Sequence, residues 1–150
     1  MAWVRVPGVV TPGYQNASGR NPHTQARYGA GTLELQFPIF KQMGLDLSAC
    51  FAGTLNVRIV GTFRLLGRER VFRNVRWFET REPETFYFSA CRLYFRGKVH
   101  AAWVYYPVKK PGVKNLGPST FEIVAEFIPG ISYGDVVEIE VNLDEVEIVP

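Results

Sequence analysis

The chain has 150 residues, 47% hydrophobic and 21% charged, the balance of a globular protein long enough for one domain with a real core. Its formal charge is only +3, and acidic residues crowd its C-terminal end, which argues against a nucleic-acid partner. No apolar stretch approaches the roughly 20 residues of a membrane span, and Met1–Pro7 lacks the apolar region of an export signal, so a cytoplasmic location is the default expectation.

The aromatic fraction of 14% leans the composition toward β structure, because aromatic side chains suit the half-buried face of a sheet. Trp3–Val10 reads as a first strand, interrupted by Pro7 and Gly8. A long Pro-, Gly- and Asn-rich loop follows at about 11–28; its Asn16-Ala17-Ser18 sequon carries no weight in a chain without an export signal. Leu33, Leu35 and Phe37 alternate with Glu34 and Gln36 and predict a strand. Pro38 then opens a short helix over Pro38–Met43, with Gly44 suited to its end. Thr54–Val60, Thr62–Leu66, Val71–Phe78, Phe86–Phe95 and Val99–Tyr106 read as strands, with a tight turn at Arg96-Gly97 pairing the last two.

Tyr106–Pro118 is a second long loop carrying Lys109, Lys110 and Lys114. Phe121–Phe127 and a segment from Val137 complete the strands, with a turn at Tyr133-Gly134-Asp135 between them. The final segment slips phase: apolar residues sit at odd positions through Leu143 and at even positions at Val146 and Ile148. A one-residue slip swaps faces, so a bulge or turn is expected near Asp144-Glu145. Many short strands, one short helix and no β-α alternation make the chain mostly β, a barrel or a sandwich in one domain, 1–150.

The segment most able to carry chemistry is Gly53-Thr54-Leu55-Asn56-Val57-Arg58-Ile59. Leu55, Val57 and Ile59 point one way, so Thr54 and Asn56 share the other face and present a hydroxyl beside an amide oxygen. Neutral oxygens suit a Mg²⁺ that is also held by phosphate and water; ordinary outward polar residues give the same pattern. Gly29-Ala30-Gly31 allows close backbone approach to an anion, or simply a turn. Lys109 and Lys110 are able to meet phosphates or lie solvated. Glu122, between Phe121 and Ile123, faces outward or lines a cleft, where it is able to orient a hydroxyl or act as a base. Cys50 and Cys91 form no CxxC pair, and buried free thiols are expected; His23 and His100 have no metal-ligand spacing.

Taken in order, Gly29-Ala30-Gly31, Pro38-Ile39-Phe40-Lys41, Gly53-Thr54-Leu55-Asn56-Val57, Tyr106-Pro107-Val108-Lys109-Lys110, Glu122-Ile123-Val124-Ala125 and Tyr133-Gly134-Asp135-Val136-Val137-Glu138-Ile139 resemble the archaeal CTP-dependent riboflavin kinases, from about residue 29 onward. The Gly-Thr-Leu-Asn segment is the specific part. The resemblance implies a closed six-stranded cradle-loop barrel with one short helix and long loops. It implies Thr54 and Asn56 as Mg²⁺ ligands, Gly29 and Gly31 beside the phosphates of CTP or another nucleotide, and Glu122 on the flavin side. The chain departs from the family after Gly31, where Thr32-Leu33-Glu34 replaces the usual charged residue, glycine and aromatic. The expected function is a nucleotide-phosphate-binding barrel acting as a Mg²⁺-dependent phosphotransferase. The alternatives are a non-catalytic module that holds a small ligand or protein in the same cleft, and a protein-binding surface built from Trp77, Phe78, Phe86 and Phe88. Oligomeric state is left open.

Overall fold

A computed structural model describes residues 2–12, 31–68, 70–108 and 117–150. Nearly all of the loop at 11–28 and the lysine-bearing part of the Tyr106–Pro118 loop lie outside the described residues. In chain order the elements are β1 (Trp3–Thr11), α1 (Thr32–Gln42), β2 (Leu55–Ile59), β3 (Thr62–Leu65), β4 (Arg70–Val75), β5 (Glu84–Phe95), β6 (Lys98–Pro107), β7 (Thr120–Ala125), β8 (Val136–Asn142) and β9 (Val146–Val149).

Strands pair in the order β5–β6–β7–β2–β1–β8, and β8 pairs back to β5. Every pairing is antiparallel, so six strands close into a barrel without a free edge in the ring. β5 is long enough to hold two partners along one edge: its first half pairs β4 and its second half pairs β8. β4 therefore hangs outside the ring, with a register irregularity between Phe72 and Val75. β3 and β9 form a separate two-stranded sheet. Phe63 of β3 stacks on Phe121, with ring centroids 3.9 Å apart.

Alternation decides which residues fill the barrel. Val57 and Ile59, Leu93, Val104, Phe121 and Ile123, Ile139 and Val141 all point inward and are buried. The opposite faces of β5, β6 and β7 are apolar as well: Phe86, Phe88, Tyr105 and Val124 form a second core with Leu33 and Phe40 of α1. Phe40 meets Phe86 and Phe88 edge to face, with centroids 5.1 and 5.0 Å away. This second core corrects the protein-binding expectation: Trp77, Phe86 and Phe88 are buried and Phe78 packs against them, so they form no exposed cluster.

The helix also differs from its expectation. Residues Leu33 to Phe37 are not a strand; they form the first half of α1, and Pro38 lies inside the helix rather than at its start. The alternation of Leu33, Leu35 and Phe37 misleads because the fully buried set is Leu33, Gln36 and Phe40, a helical i, i+3, i+7 stripe. Pro38 is exposed and leaves the Glu34 carbonyl without an amide four residues on, a local loss that the second core outweighs. The helix ends where Gly44 is expected to end it. Gly44 takes φ 104°, its N–H donates to the Lys41 carbonyl at 3.1 Å, and the Leu45 N–H donates to the Phe40 carbonyl at 2.9 Å. These two bonds make a Schellman cap, which is sealed by burial of Leu45 beside Phe40.

Both expected turns are present. Arg96 and Gly97, at φ 49° and 78°, join β5 to β6. The Asp135 carboxylate accepts from the Ser132 N–H at 2.9 Å before β8. The phase slip resolves as a turn: the Asn142 side chain accepts from the Asp144 N–H at 2.9 Å, and Val146 re-enters the core while β9 leaves the ring to pair β3.

On the barrel face away from α1, register aligns Arg5, Glu140 and Arg92 across three strands. Arg92 and the Tyr94 hydroxyl donate to Glu140 at 3.0 and 2.8 Å, and Arg5 lies over the Tyr94 ring. Bonds from Arg92 first and Tyr94 second hold the Glu140 carboxyl below its ordinary value. A carboxyl depressed on folding contributes stability above its unfolded value, and that contribution fades as pH falls through its folded value. The stability advantage of the wild type over Glu140→Gln is thus expected in full near neutrality and should shrink with acidification, as measured by urea denaturation from about pH 7 to about pH 3. A difference independent of pH contradicts this. Phe40→Ala should cost about 3–5 kcal/mol in the same measurement, whereas Val60→Ser, at a position 93% exposed, should stay within about 0.5 kcal/mol.

Candidate functional site

With the barrel interior filled by side chains, polar chemistry falls on its outer face and at its mouth. Along β2, Val57 and Ile59 point inward, which turns Asn56 and Arg58 outward. Asn56 is nevertheless only 8% exposed. The chain reaches β2 through a tight approach in which the Phe51 N–H donates to the Ala125 carbonyl and the Gly53 N–H to the Phe51 carbonyl, both at 2.9 Å. This fixes Thr54 beside the strand. Its hydroxyl donates to Asn56 Oδ1 at 3.3 Å, so the two oxygens expected to share a face do meet.

Register then sets the neighbours. Asn56 lies opposite Thr11 of β1 on one side and Glu122 of β7 on the other. The β6–β7 register, with Val104 opposite Ile123, puts Tyr105 next to Glu122. Tyr105 in turn lies opposite Phe88 of β5. One row therefore crosses five strands as Thr11, Asn56, Glu122, Tyr105 and Phe88, polar at one end and apolar where α1 covers it. Gln36 of α1 reaches into the row, accepting the Tyr105 hydroxyl at 2.7 Å. Burial, and after it the charges of Glu122 and Glu84, push the Tyr105 phenol well above the usual tyrosine range, so it stays a neutral donor.

Glu122 and Tyr105 also line a cavity of ≈ 780 Å³, whose lining includes Tyr87, Tyr106 and the Arg64–Glu147 pair. The Tyr87 and Tyr106 rings stack with centroids 6.1 Å apart. A volume of this size with aromatic walls and a few polar groups suits a small organic ligand. Sequence reasoning missed Gln36, Tyr105 and this cavity. Gln36 was readable as an outward strand residue, and Tyr105 only as one aromatic in a strand.

The other candidates fall as follows. Gly31 is the N-cap of α1 and its N–H is already donated to Glu34 Oε1 at 3.3 Å, so an anion at this amide competes with a carboxylate. Gly29, Lys109, Lys110, Lys114 and His23 lie outside the described residues. His100 pairs with Glu126 at 3.3 Å. Cys91 is buried, and burial pushes its thiol up to about 12, which leaves it unreactive. Cys50 is free but only half-buried, against the expectation of two buried thiols.

Set against the needs of a divalent ion, the Thr54 and Asn56 oxygens could give it two ligands. Two neutral oxygens 3.3 Å apart nearly span the cis edge of an octahedron, which is about 3 Å at Mg²⁺–oxygen distances near 2.1 Å. Among the described residues no group of three or more His, Cys, Asp or Glu gathers in a metal-binding arrangement. Compared with known proteins, the chain matches no family model and no curated sequence.

Proposed function

We propose that this chain is a Mg²⁺-dependent phosphotransferase that binds CTP or another nucleotide and phosphorylates a flavin or another small alcohol, as the CTP-dependent riboflavin kinases do. The observation that carries the reading is the placement of the Thr54–Asn56 oxygen pair directly beside Glu122 across the β2–β7 register. Phosphoryl transfer needs positioning and charge neutralisation more than covalent help from the protein. A metal–phosphate site next to one carboxylate meets that need.

The resemblance supplies the roles. Thr54 and Asn56 would hold the ion together with phosphate and water. The chemistry a bound ion would supply there is neutralisation of charge on the transferred phosphoryl group. Contacts to the phosphates from Gly29, Gly31, Lys109 and Lys110 are what the resemblance implies, and of these only Gly31 lies among the described residues. Glu122 takes the proton of the acceptor hydroxyl as its oxygen bonds to the terminal phosphorus. The bond from that phosphorus to the bridging oxygen breaks, and the nucleoside diphosphate leaves with that electron pair. The cavity beside Glu122 receives the acceptor, and Tyr87 and Tyr106 suit a flat ring.

One observation favours the second reading, a binding module without transfer: the Gly31 amide is engaged by Glu34 instead of being open to a phosphate. Calorimetry with CTP and Mg²⁺, coupled to a turnover assay with riboflavin, separates the two. Asn56→Ala is expected to weaken Mg²⁺-dependent CTP binding at least about 10-fold, a loss of about 1.4 kcal/mol, with the fold retained by circular dichroism. Unchanged CTP affinity in that variant rules out the proposed ion site. Saturable CTP or riboflavin binding by the wild type without product identifies the module.

A further inference from the structure

Two strand arginines are answered by a carboxylate directly across the ladder. Arg92 lies opposite Glu140 and pairs with it at 3.0 Å. Arg64 lies opposite Glu147 and pairs with it at 2.6 Å. Arg58 has no such answer. It is exposed on β2, within the ring, and the residues opposite it are Val9 of β1 and Thr120 of β7. Among the described residues no hydrogen bond, ion pair or ring contact engages its guanidinium.

The register makes Arg58 one corner of a rectangle on the outer face. Asn56 and Arg58 stand along β2, and Glu122 and Thr120 stand opposite them along β7. Same-face residues on one strand are roughly 6.8 Å apart, and neighbouring strands are roughly 4.8 Å apart. Thr120 brings a hydroxyl to the corner beside Arg58, and it lines the cavity together with Glu122. The one negative corner, Glu122, is diagonal to Arg58, the longest separation that the rectangle offers. The guanidinium therefore stands beside the Thr54–Asn56 oxygen pair on one side and the cavity edge on the other, with no carboxylate directly across from it.

A guanidinium presents paired N–H donors that match two oxygens of a phosphate, and it keeps its charge throughout the pH range of a folded protein. We propose that Arg58 binds the terminal phosphate of an oligophosphate ligand, with the Thr120 hydroxyl as a second donor, and so fixes that phosphate between Asn56 and the cavity. The inference rests on the phosphotransferase reading for the identity of the oligophosphate, a nucleotide, but the anion site itself needs neither an ion nor turnover. In that reading the transferred phosphoryl group meets a positive charge of the protein's own at the edge of the acceptor cavity.

The test is binding of inorganic tripolyphosphate to the full chain in EDTA, followed by ¹⁵N NMR on the Arg58 side-chain Nε–H and on the backbone amides. A saturable shift of the Arg58 Nε–H and the Thr120 amide is expected. Arg58→Gln should lose at least about 10-fold in affinity, and Arg58→Lys should recover part of it, since a lysine keeps the charge without the paired donors. Both substitutions are at an exposed position and should leave the fold intact. Arg73→Gln removes the same charge from an exposed position on β4 and should change affinity by less than about twofold. Unchanged affinity in Arg58→Gln overturns the inference. So do shifts centred away from Arg58 and Thr120, and so does an equal loss in Arg73→Gln, which would reduce the effect to the summed charge of the chain. A wild type that binds tripolyphosphate through Arg58 but neither binds CTP with Mg²⁺ nor phosphorylates riboflavin fails the phosphotransferase reading and leaves the anion site standing.

Discussion

Phe40 seats α1 on the barrel, and much of the molecule depends on that contact. Its ring lies edge to face against Phe86 and Phe88 and 5.6 Å from Phe72, so one side chain ties the helix to β5 and to the hanging strand β4. Without the helix, the outer faces of β5 and β6 would present Phe86, Phe88 and Tyr105 to water. With it, that half of the sheet becomes a second core. Gln36 is carried to Tyr105 by the same seating, so the polar row and the apolar packing are set by one helix position.

Closure of the barrel fixes where chemistry is able to sit. Six antiparallel strands in a ring send alternate side chains into a small interior, and here those side chains fill it. Polar groups are driven to the outer face. On the side away from α1 that face carries pairs such as Arg92–Glu140. The row from Thr11 to Tyr105 differs, because it runs from solvent into the shade of α1 and so places Asn56, Glu122 and Tyr105 at partial or full burial. Side-chain oxygens, a carboxylate and a neutral donor within adjacent strand spacings could serve as a site, and strands hold such groups more rigidly than loops would.

The strands were legible in the sequence because their inward faces alternate cleanly, as in β2 and β8, and because glycine marks the turns. The shared face of Thr54 and Asn56 was legible for the same reason. Three things were not. Helix α1 was hidden, since Leu33, Leu35 and Phe37 alternate like a strand and Pro38 looks like a beginning; only packing against β5 selects the period of Leu33, Gln36 and Phe40. The proximity of Asn56 to Glu122 depends on the β2–β7 register, which pairs residues that no local pattern connects. The Gln36–Tyr105 bond joins residues 69 apart in sequence, beyond the reach of any periodicity.

The central claim is that the outer-face row holds a metal–nucleotide pair. Paramagnetic broadening by Mn²⁺ in place of Mg²⁺, read on the backbone amides of the ¹⁵N-labelled full chain with and without CTP, tests it most directly. The expected result is CTP-dependent broadening centred on Thr54, Leu55 and Asn56, extending across the strand pair to Glu122 and weak on the far face at Arg5 and Glu140. Broadening centred elsewhere, or none upon addition of CTP, would contradict it.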